Sequence, residues 1–399
     1  MIADGSGNHV GTRIHAIVIT QNRPETLRRC IATALSSLGP QDTLTILDDS
    51  FPTVSPANAA LITVTPSVSA PTRVHLSMPR AREVIARSVS TRDLLWLAKT
   101  APRDIAPQRN LSLLLAAAVP AETIVLIDDD IYGFDLAATH QRTNALAHAG
   151  RGVIVGADIG GTNETDTITR LTDAIEKLED MPSSTKGESV SDLFQVSGSF
   201  RSAFGSVFRY VSAGYLAFQL PPDQVFAFPP GYNEDWLWCL LHRGDAKVRI
   251  LRSGTTVVHD PPSVRRSTRE DFLFELVGEL VFDCLEEQVG GIYLDPEAAL
   301  RDLSEGVPSP TSMPAARALE LMEKARSSGQ NAGSLAVLEE YGLAVLADML
   351  QTGELEIDGK QVLTDWCGDA IAKQRAVAAT LRDEGAMPAL QSLIREGRI

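Results

Sequence analysis

Acidic residues cluster at three places where the chain changes character. Asp128, Asp129 and Asp130 directly follow the apolar run Ile-Val-Leu-Ile at 124–127. Asp48 and Asp49 follow the short apolar run at 44–47, and Glu234 and Asp235 stand at the mouth of a predicted helix over 235–242. Three adjacent acids repel one another, and a sheet core has no use for them. At the carboxyl end of a buried strand, where α/β sheets place their ligands, they are tolerable. Hard oxygen donors there suit Mg²⁺ or Mn²⁺, and such a cation suits a diphosphate. Taken alone, the triplet also reads as a solvated acidic turn. The Glu234–Asp235 pair also reads as capping acids, since a helix N-terminus favours a carboxylate electrostatically.

The elements that must hold these acids follow from the apolar pattern. Residues 14–20 (Ile-His-Ala-Ile-Val-Ile-Thr), 44–47 and 124–127 are short, β-rich and apolar, as strands buried on both faces are. Pro24 opens a helix whose apolar residues Leu27, Cys30, Ile31, Ala34, Leu35 and Leu38 recur at helical spacing, and Gly39-Pro40 stops it. Residues 51–70 read as loop with one short strand at 60–65. A further strand is expected at 74–78 and a helix at 82–99. The apolar stretch 111–118 predicts a buried helix with Arg109 and Asn110 at its N-terminus, where anions are favoured. Strands follow at 151–158 and 210–218, with a helix at 169–178 and a flexible Ser- and Gly-rich loop at 180–206 between them. Asn233 is a natural N-cap for the helix over 235–242. Two short strands, 248–251 and 255–259, complete the pattern. Strands alternating with helices through residue 160 predict an α/β domain with a largely parallel sheet. In such a sheet residues 20–23, 48–50 and 128–130 all leave the carboxyl edge and share one rim.

Composition narrows the function classes. With 399 residues, one or two domains are expected, and 44% hydrophobic content is enough for a full core. A net charge of −15 argues against general affinity for nucleic acid or anionic membrane. Cys30, Cys239, Cys284 and Cys367 form no CxxC pair and read as buried free thiols, consistent with a reducing cytoplasm. Residues 1–12 lack the basic start and apolar run of a signal peptide, and no run of 18 apolar residues predicts a membrane span.

The order Ile-Val-Ile-Thr-Gln-Asn-Arg-Pro, then Asp-Asp-Ser, then Gln-Arg-Asn, then Ile-Asp-Asp-Asp, then Asn-Glu-Asp-Trp resembles a GT-A-fold glycosyltransferase of the family-2 type, over residues 13–262. The resemblance implies a Rossmann-like nucleotide-sugar-binding domain and a role for each residue that matches. Thr20 and Arg23 border the nucleotide. Asp49 accepts a hydrogen bond from the base, with Asp48 beside it. Arg109 helps hold the donor, Asp128 lies near the ribose, and Asp129 belongs to the same donor-binding set. Asp130 binds a Mn²⁺ or Mg²⁺ ion that bridges the diphosphate, and His259 completes its coordination, although that histidine also reads as an ordinary satisfied one. Of Glu234 and Asp235, Asp235 is the favoured general base. Trp236 stacks on a sugar; Trp238 reads as readily as core.

This reading is a metal-dependent transfer of a sugar from a UDP-, GDP- or dTDP-sugar to an unidentified acceptor, inverting at the anomeric carbon. A retaining enzyme on the same scaffold, and a sugar-binding module without catalysis, are the alternatives. A nucleotidyltransferase is disfavoured, because Gln21-Asn22-Arg23-Pro24 replaces the Gly-rich turn it would use after the first strand. The membrane-bound processive relatives carry a Gln-x-x-Arg-Trp motif and membrane helices that this chain lacks, so a soluble enzyme is expected. The glycosyltransferase domain is expected over 13–264. From 265 to 399 the chain becomes Leu- and Ala-rich with helical periodicity at 271–288, 313–327, 333–350 and 369–396. This helical extension is read as an acceptor-recognition or homodimerisation element. The loop at 180–206 is a candidate lid over the donor.

Overall fold

A computed structural model describes residues 12–63, 70–88, 104–119, 121–147, 152–161, 212–220, 226–243, 248–260, 268–288, 300–301, 313–328, 342–356 and 358–398. The predicted helix at 169–178 and the candidate lid at 180–206 lie outside them.

The strands are β1 (Thr12–Thr20), β2 (Thr43–Asp48), β3 (Thr72–Ser77), β4 (Ala121–Asp128), β5 (Ile131–Tyr132), β6 (Gly152–Gly161), β7 (Ser212–Gln219) and β8 (Val248–His259). They form one eight-stranded sheet in the order β3-β2-β1-β4-β7-β6-β8-β5. The first four positions are parallel. β7 runs antiparallel to both of its neighbours, β4 and β6. β6 and β8 are again parallel, and the register slips between Gly156 and Asp158. The parallel half therefore sends the ends of β1, β2 and β4 to one rim, as the apolar pattern predicts.

The helices are α1 (Pro24–Ser37), α2 (Ser55–Ile62), α3 (Met78–Ser88), α4 (Ala106–Ala118), α5 (Leu136–Leu146), α6 (Glu234–Arg243), α7 (Arg269–Gln288), α8 (Met313–Ser328), α9 (Leu343–Gln351), α10 (Gly359–Arg382) and α11 (Ala386–Glu396). Alternation along the strands splits the core in two. Ile14, Ala16 and Val18 of β1 and Val125 and Ile127 of β4 pack with α1, α2 and α5 on one face. Ile17, Ile124 and Leu126 pack with α3, α4, α6, α7, α10 and α11 on the other. The result is a three-layer α/β/α arrangement.

Several local expectations are corrected. Residues 60–62 are not strand but the end of α2. Pro56 suits the first turn of a helix, and Ala57, Ala59 and Ala60 propagate it better than the following β-branched residues can oppose it. α3 starts at Met78, not at Arg82. Residues 248–259 are one strand rather than two. α4 begins at Ala106, with Pro107 in its first turn, so Arg109 and Asn110 sit inside the helix rather than at its mouth. The predicted helical stretch at 369–396 is two helices, interrupted around Asp383–Gly385, and the first of them starts ten residues earlier.

The C-terminal helices return to the α/β layers. Leu363, Cys367 and Ala370 of α10 and Leu390, Leu393 and Ile394 of α11 share one buried cluster with α4 and the sheet. The Lys373 side chain is buried in α10, with Asp369 at 3.3 Å and Asp104, just ahead of α4, at 4.0 Å. Trp366 Nε1 donates to the Pro230 carbonyl at 2.7 Å, and Gln374 Oε1 accepts from the Ala227 N–H at 2.7 Å. α10 thus braces the segment that leads into α6. A Cβ on Gly278 of α7 would come within 2.6 Å of Tyr232 Cβ in the same segment, so only glycine allows this approach. Beyond α11, the Gly397 carbonyl accepts the His75 N–H at 2.9 Å and Arg398 bridges Val74, so the outer edge of β3 is covered. The four cysteines are free and buried. Among the described residues, no helix is long and apolar enough to cross a membrane.

Two histidines make stability depend on pH. His15 and His242 are fully buried, and burial lowers their pKa values from 6.5 to about 4 and about 3. Below pH 6.5 the unfolded chain takes up protons that the folded one refuses, so stability rises with pH across this window and falls as the pH drops. By pH 5 each histidine is expected to have cost on the order of 2 kcal/mol relative to neutral pH. Neither ring nitrogen of His242 has a hydrogen-bond partner among the described residues, and its ring stacks on Phe226 with centroids 4.4 Å apart. His242→Phe should therefore keep the packing and flatten its share of the slope. Urea unfolding of both proteins at pH 7.5 and 5 measures this, and parallel slopes would contradict it.

Candidate functional site

The site is assembled at the rim where β1, β2 and β4 end. After β1 the chain turns through Asn22 at φ +58°, a left-handed conformation that Asn tolerates better than most residues. The turn is tied to the end of β2. The Asn22 N–H donates to Ser50 Oγ at 2.6 Å, and Asn22 Oδ1 accepts the Phe51 N–H at 2.8 Å. This places Arg23 over the acids that follow β4. Its two terminal nitrogens reach Asp129 Oδ1 at 2.6 Å and Asp130 Oδ2 at 2.7 Å. Thr20 Oγ1 donates to Asp129 Oδ2 at 2.6 Å. Asp129 is fully buried. Burial pushes its pKa up to about 7 against the pull of Arg23, with Asp130 adding to the rise. Burial opposes the charge on Asp130 too, but His259 and Arg23 outweigh it, and its pKa is lowered.

His259 ends β8 opposite Ile131 of β5, which puts its Nε2 3.6 Å from Asp130 Oδ2. The following residue, Asp260, donates its N–H to the Asp130 carbonyl at 3.0 Å, and its carboxylate takes Arg29 of α1 at 2.5 Å. Asp130 is therefore held by backbone on one side and by Arg23 and His259 on the other. Among the described residues, no three His, Cys, Asp or Glu side chains converge as a metal cage. Two ligands fit a different arrangement. Mg²⁺ and Mn²⁺ are commonly held by one or two protein groups, with phosphate oxygens and water completing the shell.

A second arm comes from α4. Arg109 is only 3% exposed, and it lies between acids from two other elements. Its Nε is 2.8 Å from Glu234 Oε1, and one terminal nitrogen is 3.4 Å from Asp128 Oδ2. The guanidinium lies 5.7 Å from the centre of the Phe228 ring. Its other terminal nitrogen is buried without a hydrogen-bond partner among the described residues. Burial raises the pKa of Asp128 despite Arg109. It also raises the pKa of Glu234, again against Arg109 and with Asp235 adding to the rise. Asn110 clamps the chain ahead of α6: its amide donates to the Phe228 carbonyl at 3.0 Å and its Oδ1 accepts the Phe228 N–H at 2.7 Å. Asn233 enters α6 at φ +61°, and its carbonyl accepts the Leu237 N–H at 2.9 Å.

Thr20, Arg23, Asp129, Asp130 and His259 thus meet in one cluster, and Arg109, Asp128 and Glu234 meet in an adjoining one. Asp49 is half-buried at the end of β2, with its N–H on the Thr20 carbonyl at 2.9 Å. Asp235, next to Glu234, is half-buried at the start of α6. Two expected residues are differently employed. Asp48 is buried and fully committed to protein partners: the Ser50 N–H, Asn58 Nδ2 and His75 Nε2 lie 2.9, 3.2 and 3.0 Å from its oxygens. Burial opposes its charge, but hydrogen bonds from His75, Ser50 and Ser55, His75 foremost, bring its pKa down to about 2. It fixes the rim rather than facing it. Trp236 packs edge-on against Phe282 of α7, with ring centroids 5.5 Å apart, so its ring serves the contact between α6 and the C-terminal helices. Trp238 is core, stacked on Phe228. The pairing of Arg109 with Glu234 escapes sequence reasoning, because 125 positions separate two residues that each have a plausible local role. Gln108 belongs to the Gln-Arg-Asn stretch, but the sequence gives it no role of its own.

No family model and no curated protein matches the sequence. Solved structures do. A mannosyltransferase from Pyrobaculum calidifontis, in complex with GDP-Man and Mn²⁺, is 13% identical over 92% of this chain and 87% of that one, with a TM-score of 0.43. Glucosyl-3-phosphoglycerate synthase from Mycobacterium tuberculosis, in complex with Mn²⁺, uridine diphosphate and phosphoglyceric acid, is 14% identical over 76% of this chain and 81% of that one, with a TM-score of 0.38. S. aureus TarS 1–349 is 13% identical over 88% of this chain and 90% of that one, with a TM-score of 0.38. All three TM-scores lie under 0.5.

Proposed function

We propose that this chain is a metal-dependent glycosyltransferase of GT-A type, which moves a sugar from a nucleoside-diphosphate donor to an acceptor with inversion. The observation that carries the reading is the convergence of Thr20, Arg23, Asp128, Asp129, Asp130 and His259 on the carboxyl rim of the sheet, with Arg109 joining Asp128 to Glu234 of α6. The donor half and the base-bearing helix are thus held by one buried cation.

Asp130 and His259 would hold a Mn²⁺ or Mg²⁺ ion, which supplies charge to the departing diphosphate when bound. Arg23 is partly exposed beside these acids and is placed to meet the same anion. Asp128, tethered by Arg109, faces the ribose, and Asp49 the base. The general base is Asp235. A base must first be within reach of the acceptor proton, and only then does its pKa matter. Glu234 is buried and locked to Arg109, whereas Asp235 stands half-buried one residue later. Glu234 therefore orients Arg109, and Asp235 takes the proton.

Thermal unfolding with UDP-, GDP-, dTDP- and CDP-sugars, each with Mn²⁺ or EDTA, tests the reading on wild type and Asp130→Ala. A donor at 100 times its Kd should add about 2.7 kcal/mol of stability. The expected result is a shift with one nucleotide class that needs Mn²⁺ and disappears in Asp130→Ala. If no donor stabilises the wild type, the reading is wrong.

A further inference from the structure

Gln108 occupies the first turn of α4 and is 2% exposed. Its Nε2 donates to Asp49 Oδ2 at 2.9 Å. A second amide, Gln21 Nε2, lies 3.5 Å from the same oxygen on the exposed side. The Gln108 Oε1 atom is buried and has no hydrogen-bond partner among the described residues. A buried acceptor left unsatisfied is costly, and a leucine would fill the same volume without that cost. The amide is therefore retained against the interest of the fold, and what it does is restrain one carboxylate.

We propose that Gln108 is a positioning residue that sets nucleobase selectivity through Asp49. This rests on the glycosyltransferase reading, in which Asp49 faces the base of the donor. A neutral amide can orient a carboxylate without cancelling its charge. An Arg or Lys in its place would neutralise Asp49 and weaken its attraction for a ligand N–H. Held on one oxygen, the carboxylate is a fixed acceptor. It accepts from a ring N–H, which uracil and thymine carry at N3 and guanine at N1. Cytosine at N3 and adenine at N1 present a lone pair there instead, which an acceptor-only carboxylate repels. Removing the amide lets Asp49 turn, and the energetic difference between the two kinds of base shrinks.

Calorimetric titration of the full chain with Mn²⁺ and each of UDP, CDP, GDP and ADP tests this for wild type, Gln108→Leu, Gln108→Met and Asp49→Asn. Wild type is expected to prefer UDP over CDP, or GDP over ADP, by at least about tenfold, the factor that one charge-assisted hydrogen bond supplies. Both Gln108 variants should lose most of that ratio through weaker binding of the N–H base, with the other base little changed. Asp49→Asn should lose it too, and Gln108→Leu should add nothing further in that background. The Met variant and the Asp49→Asn protein keep the test open if Gln108→Leu fails to fold. Equal weakening of both bases, an unchanged ratio, or a wild type that binds both bases alike overturns the role of Gln108 alone. A wild type that binds none of the four nucleotides overturns the glycosyltransferase reading with it.

Discussion

Replacing Asp235 by Asn is expected to lower the rate of nucleoside diphosphate release from the donor by about 10²- to 10⁴-fold, the usual worth of a positioned general base. Binding of the donor with Mn²⁺ should be unchanged, because Asp235 lies at the start of α6 and the proposed function has the donor held from the sheet rim. The contrast with its neighbour is the discriminating part. Glu234 pairs with Arg109 at 2.8 Å, so Glu234→Gln should weaken donor binding and stability, through Arg109 and Asp128, together with the rate. Steady-state release of the nucleoside diphosphate, with donor affinity measured in parallel, separates the two patterns. An Asp235→Asn enzyme within tenfold of wild type would remove Asp235 from the chemistry.

The largest loss of stability is expected for Arg109→Met. Methionine nearly matches the side chain in length but leaves the buried Glu234 carboxylate, and the half-buried Asp128, without their cation. Removing one partner of a buried ion pair typically costs about 3–5 kcal/mol, because the remaining charge stays desolvated. The same substitution combined with Glu234→Gln removes one of the stranded charges, and it should recover part of the loss. Urea unfolding of the single and double variants at pH 7.5 measures the coupling. Strictly additive effects would mean that the Arg109–Glu234 contact contributes nothing to holding the site.

What could be read from the sequence was whatever depends on neighbours along the chain. The apolar runs of β1, β2 and β4 are strands, their acidic ends share a rim, and Pro24 opens α1, since burial and backbone stereochemistry act over a few residues. The strand reading failed over 60–62 because β-branched residues there compete with an upstream proline and alanines, and only packing settles such a contest. The site was legible in its residue types and not in its pairings. Asp48 looks like a ligand-facing acid until His75 arrives from β3 and takes its carboxylate. Glu234 reads as a capping acid or a base, and nothing in the sequence announces the Arg109 found 2.8 Å from it. Trp236 looks like a sugar platform until α7 brings Phe282 against it. Each correction comes from a contact across the sheet or between layers. Such contacts leave no periodic trace in the sequence.

The cover over β3 has a consequence for how the protein is made. Gly397 and Arg398 meet this edge strand more than three hundred residues after it has left the ribosome. At ordinary elongation rates the interval is roughly 15–65 s. Throughout it, the outer N–H and C=O groups of β3 face solvent or any other nascent chain, and unpaired edges template association. A Cβ at position 397 would approach the His75 carbonyl to 2.6 Å, so the segment that closes this edge admits only glycine there. The strand whose His75 holds Asp48 in place thus gains this outer partner only once residues 397 and 398 have been made.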